Sequence, residues 1–245
     1  MKKTLIALLV LAGVSSAVEV ITDIMPTSYE WKSYNAPEGG ASEWVNINWN
    51  ALSDTTNLEK DFSLLGITSV GSYGFNNKGT TQASTGQISV ANECLTLTGR
   101  SGEAAVDTLF AQVVNVSSLL GNYTADNLTA LTLNVDYTRS TSGDGWVGLY
   151  ILDSNNELSA ISGVKVNSLK TNTSGSVAIS LTEPQLNGVD DSDKLVVLLR
   201  DGSAGNTTTI TSLSTTAVLV PEPATATLSL LALAGLAARR RRASR

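Results

Sequence analysis

The chain has 245 residues, 42% hydrophobic and 16% charged, a globular rather than a disordered composition. It carries 16 Lys and Arg against 22 Asp and Glu, no histidine, and one cysteine, Cys94. These counts exclude a Ser-His-Asp triad, a Cys-His nucleophile, a zinc site and an intrachain disulfide, and the acidic balance disfavours nucleic acid as a partner.

The first 17 residues, MKKTLIALLVLAGVSSA, place Lys2 and Lys3 before an apolar run and end on small residues. That order is a secretory signal peptide, with cleavage expected after Ala17. Val18 follows, where lipidation would require a cysteine. Residues 18–220 are then expected to form one domain, long enough to bury a substantial core. This body keeps 9 basic residues against 21 acidic ones, so it is more acidic than the whole chain at −6.

Along the body, period-two alternation predicts many short strands. EWVNINWNA (43–51) puts Val45, Ile47 and Trp49 on one face and Trp44, Asn46 and Asn48 on the other. SDTTNLEKDFSLLG (53–66) is the best helical candidate, and VSSLLGN (116–122) offers another helical turn. Strands are predicted in GQISV, CLTLTG, DTLFAQVVNV, SAISGVKV, GSVAISL, TTITSL and TTAVLV. ALTLNVDYT (130–138) alternates cleanly, with Leu131, Leu133, Val135 and Tyr137 opposite Thr132, Asn134 and Asp136. GWVGLYIL (145–152) and KLVVLLR (194–200) are apolar on both faces and read as central strands. Gly, Asn, Asp and Ser clusters separate these segments. The expected fold is all-β: a β-sandwich of jelly-roll, lectin-like or galactose-binding-like kind.

Two sets of residues in the body invite chemistry. Trp44 with Asn46, and Trp146 with Tyr150, have the types that stack on a sugar ring and hydrogen-bond its hydroxyls; equally, tryptophan and tyrosine belong in a core. Asp153, Asn155 and Glu157 alternate in DSNNE, and Asp190, Asp191 and Asp193 cluster in DDSD. Oxygen ligands of this sort suit Ca²⁺, yet DSNNE lacks the glycine of an EF-hand loop and reads equally as a polar hairpin turn. No cofactor is expected. Paired carboxylates for glycan hydrolysis remain open, since that reaction needs only two acids at a set separation.

The C-terminus has three parts in order. Pro221-Glu222-Pro223 stops any regular element. Residues 224–238 are uncharged and as a helix would reach roughly 22 Å. Arg239, Arg240, Arg241 and Arg242, with Arg245, then form a stop-transfer cluster. A transmembrane helix over 224–238 is therefore expected, held on its cytoplasmic side by arginine. VPEPATATLSLLALAGLAARRRR closely resembles the PEP-CTERM sorting signal of Gram-negative bacteria. The resemblance covers about 25 residues and does not extend to the body. It implies an exosortase-type membrane transpeptidase acting near Pro221, Glu222 and Pro223, after delivery by the general secretion machinery. The protein would pause in the inner membrane and then be released or anchored at the surface. The expectation is an exported, non-catalytic cell-surface or matrix protein. The alternatives are a module binding exopolysaccharide or host glycan, and a two-carboxylate glycan-active enzyme.

Overall fold

The computed structural model describes residues 16–32, 67, 69–76, 87–99, 108–140, 145–165, 173–201 and 205–220. Residues 1–15 of the expected signal peptide (1–17), the strand at 43–51, the helix at 53–66 and the sorting tail at 221–245 lie outside the described residues. Ala17 is exposed and directly precedes the first strand. Among the described residues no helix is long and apolar enough to cross a membrane.

The strands, in order, are β1 (Val18–Asp23), β2 (Glu30–Trp31), β3 (Gly71–Asn76), β4 (Ile88–Ala91), β5 (Cys94–Thr98), β6 (Thr108–Asn115), β7 (Leu128–Arg139), β8 (Gly145–Leu152), β9 (Leu158–Lys165), β10 (Thr173–Thr182), β11 (Lys194–Asp201) and β12 (Thr207–Leu219). They form two sheets, as expected of a sandwich. The first runs β10-β7-β12-β5-β4, with β1 also pairing with β12; the second runs β2-β3-β6-β11-β8-β9. The helical turn expected in VSSLLGN is a 3₁₀ turn, Val116–Leu119, and a short helix α1 (Glu183–Leu186) follows β10.

Alternation explains the first sheet. Leu131, Leu133, Val135 and Tyr137 of β7 point inward and are buried. Outward lie Thr132, Asn134, Asp136 and Thr138, half-buried or exposed. Thr132 bonds Ser180 on β10 at 2.8 Å, and Asn134 donates to Thr216 on β12 at 3.0 Å, so this wet face is laced by short polar side chains. TTITSL and TTAVLV belong to a single strand, β12. Its register shifts between Ile210 and Ser212, and the extra residue, Thr211, is exposed. That bulge keeps both Ile210 and Leu213 inward although they are three apart.

The second sheet is apolar on both sides. Val147, Leu149 and Ile151 of β8, with Leu195, Val197 and Leu199 of β11, join the core that contains the inward residues of the first sheet. Tyr150, Leu152, Val196 and Leu198 point the other way and form a second buried cluster with Leu109, Ala111 and Val113. Every residue of β8 is buried.

One polar cluster ties the sheets together. Arg139 ends the inward column of β7 and Asp201 ends that of β11; both are fully buried, with Nη2 and Oδ1 3.6 Å apart. Arg139 Nε donates to Thr208 Oγ1 at 3.1 Å. Asp201 Oδ2 accepts from Thr208 Oγ1 and Asn206 Nδ2, each at 2.6 Å.

Candidate functional site: a polar hollow at one end of the sandwich

The end opposite Arg139 and Asp201 is shaped by three short elements. A 3₁₀ turn, Ala125–Asn127, leads into β7, capped by reciprocal contacts between Thr124 and Asn127. Helix α1 caps β10 in the same way: Thr182 and Gln185 form a capping box, and Pro184 sits in the first turn, where its missing N–H costs nothing. Thr182-Glu183-Pro184-Gln185 carries that signature in the sequence itself. After α1 the chain turns at Gly188, whose φ of +86° favours glycine.

These elements enclose a hollow of about 750 Å³. Asp126, Thr129, Glu183, Pro184, Asn187 and Asp190 are among its lining residues. Its volume falls within the ~300–1,000 Å³ range of small-molecule sites. The lining offers carboxylate and amide oxygens, amide N–H groups, a hydroxyl and one pyrrolidine ring.

Asp190, the first residue of the DDSD turn, lines the hollow, and the turn is largely occupied with its own backbone. Asp193 Oδ2 accepts from Asp190 N at 2.9 Å, and Asp190 Oδ1 from Ser192 N at 3.3 Å. Asp191 Oδ1 accepts from Ala125 N at 2.8 Å, tying the turn to the 3₁₀ turn. Asp193 is 3% exposed, and burial pushes its carboxyl above the usual range. The charges of Asp190 and Asp153 add to that rise, while the Asp190 N–H and Lys194 oppose it.

DSNNE is the β8–β9 hairpin turn. Asp153 Oδ1 accepts from Asn155 N and Glu157 N, both at 2.8 Å, and Asn156 takes a φ of +66°. The carboxylate is thus used to close the turn. Among the described residues, no group of three or more Cys, Asp or Glu is placed to hold a metal ion.

The aromatic pair on β8 is not a stacking platform. Trp146 is 8% exposed and Tyr150 is fully buried. Their shared parity is as read from the sequence, but that face of the second sheet is apolar and covered. Tyr150 lies over Gly148, where a Cβ would collide with the Tyr150 hydroxyl oxygen. Burial pushes that hydroxyl's pKa up. Trp44 and Asn46 lie outside the described residues.

No family model matches the chain, and no curated protein matches it. Several solved structures overlap it in part. A xylan-binding module, CBM15, is 14% identical with a TM-score of 0.38, covering 61% of this chain and 92% of its own. TmCBM61 in complex with β-1,4-galactotriose is 9% identical with a TM-score of 0.32, covering 50% of this chain and 68% of its own. The enzymatically active domain of bacteriophage CBA120 tailspike protein 4 is 11% identical with a TM-score of 0.35, covering 49% of this chain and 15% of its own. At these scores none of the overlaps assigns a ligand or an activity to this chain.

Proposed function

We propose that this is an exported, non-catalytic surface protein whose sandwich binds a carbohydrate in the hollow beside α1. The observation that carries the binding reading is the mixed lining. Acceptors on Asp126, Glu183 and Asp190 and the amide of Asn187 suit the hydroxyls of a sugar, and Pro184 offers an apolar surface to a ring face. Anionic ligands are disfavoured by the same carboxylates. Delivery rests on the two ends of the chain: the signal segment before Val18, and the Pro-Glu-Pro, apolar and arginine order of residues 221–245. An exosortase-type transpeptidase would act at the second end.

The binding test is a glycan array followed by calorimetry on the full chain. A neutral glycan is expected to bind, and Glu183→Ala or Asn187→Ala to weaken it ~tenfold, the loss of one or two hydrogen bonds. An array without signal retires the reading. Processing is tested by replacing Pro221, Glu222 and Pro223 with alanine, which should leave protein at the membrane with its tail attached. Exported wild-type material that still carries residues 224–245 by intact mass would refute it.

A second reading is prompted by Asp126, Glu183 and Asp190 lining one hollow, because glycan hydrolysis needs two acids facing a shared substrate at a set separation. Release of reducing ends from a bound glycan, abolished by Glu183→Gln, would replace the binding reading with an enzyme.

A further inference from the structure

The charge of the hollow has one sign. Asp126 comes from the 3₁₀ turn before β7, Glu183 from α1 and Asp190 from the turn before β11, and among the described residues no lysine or arginine lines it. Asp126 and Glu183 are exposed, and among the described residues neither takes part in an ion pair. Lys194, which follows the DDSD turn, uses its ammonium on Asn156 Oδ1 at 2.8 Å. Like charges around one concavity repel one another and hold a negative potential inside it, which a positive ligand relieves.

The rest of the lining says what kind of cation fits. Among the described residues no group of three or more Cys, Asp or Glu is placed to hold a metal ion, so the negative charge is spread along the wall rather than gathered at a point. The lining also includes exposed Pro184, whose ring a bare ion or a linear polyamine leaves uncovered and the C–H face of a sugar covers. Thr129 and Asn187 supply donors and acceptors for hydroxyls. A volume of about 750 Å³ suits a ligand of several rings.

We propose that the hollow selects a cationic glycan, an oligosaccharide of hexosamine units whose amines are free and protonated. This rests on the reading of the hollow as a carbohydrate site and adds the class of sugar. Each ammonium group makes a charge-assisted hydrogen bond to a carboxylate, roughly twice as strong as the neutral bond that a hydroxyl or an N-acetyl group offers in its place.

The test is calorimetry on the full chain with two ligands of one backbone, a β-1,4-glucosamine tetrasaccharide and its fully N-acetylated counterpart. It is run at weakly acidic pH, where the free amines are protonated. The free-amine ligand should bind at least ~tenfold more tightly at low salt. The difference should shrink between about 0.01 and 0.15 M salt, as the Debye length falls from about 30 to about 8 Å. Asp126→Asn removes one charge of the hollow and should lower the ratio of the two affinities about fivefold, the attraction of one charge at ~4 Å in water. Glu93→Gln removes an exposed charge in the β4–β5 turn and should leave that ratio as in wild type. Both variants should keep the wild-type circular dichroism. Measurable but equal affinities for the two ligands overturn the proposal and leave the carbohydrate reading standing. A ratio that Glu93→Gln lowers as much as Asp126→Asn overturns it too, because the attraction would then belong to the whole acidic chain. Spermidine binding as tightly as the free-amine ligand has the same consequence, since the sugar ring would contribute nothing. Absence of binding by both ligands also overturns it, and only an array without any signal retires the carbohydrate reading itself.

Discussion

Asp201→Ala is expected to be among the most damaging single changes in the sandwich. Arg139 and Asp201 are both fully buried, and they link the last inward position of β7 to the last inward position of β11. Removing the carboxylate takes away the charge 3.6 Å from a fully buried guanidinium, and breaking such a buried pair costs about 3–5 kcal/mol. In a domain of this size each kcal/mol moves the melting temperature by about 2–4 °C, so a fall of roughly 6–20 °C is expected. Arg139→Met should cost less, because Asp201 retains the bonds from Asn206 and Thr208. The double variant Arg139→Met/Asp201→Leu removes both charges, and the Asn206 amide keeps Thr208 Oγ1 as an acceptor at 3.3 Å. It should be milder than the sum of the singles by about 2 kcal/mol. Urea unfolding followed by circular dichroism measures all four corners of the cycle. If Asp201→Ala lies within about 1 kcal/mol of wild type, or the two changes simply add, the pair does not hold the sheets together in the way argued here.

Two further predictions concern buried polar groups. Thr215 is fully buried opposite Leu133, and its hydroxyl has no hydrogen-bond partner among the described residues. Thr215→Val should therefore stabilise by about 1 kcal/mol, a rise of a few degrees in thermal melting; a lower melting temperature would count against it. Asp193 has a raised pKa, so the folded state holds its proton more tightly than the unfolded chain does. Its ionisation penalty is absent below the unfolded value of about 3.9 and grows until the pH exceeds the folded value. Asp193→Asn should thus gain stability relative to wild type as pH rises above about 4, in urea titrations across weakly acidic pH. A difference that is flat, or that grows on acidification, would reverse the assignment.

Much of the sandwich can be read in the residues themselves, but not its wiring. β7 is visible as alternation from Leu131 to Tyr137, and β8 and β11 as runs apolar on both faces. β12 looked like two strands because the extra residue at Thr211 resets the period, and a local pattern cannot distinguish a bulge from a break. The β4–β5 hairpin turns on Asn92 and Glu93, both with positive φ, a conformation that glutamate rarely takes and that its sequence does not announce. The capping box at Thr182 is legible in the sequence but the hollow is not, because its walls come from residues as far apart as Asp126 and Asp190.

What the sequence determined alone is the alternation of each strand, since side chains on successive residues must point to opposite faces. It also excluded histidine-dependent and cysteine-paired chemistry. Only the tertiary structure decided which faces are wet. Trp146 and Tyr150 share a face by parity, yet that face is buried, whereas the Thr and Ser face of β7, β10 and β12 is open to solvent. Parity is local, but exposure depends on what packs above a sheet, and that follows from contacts between segments distant in the chain.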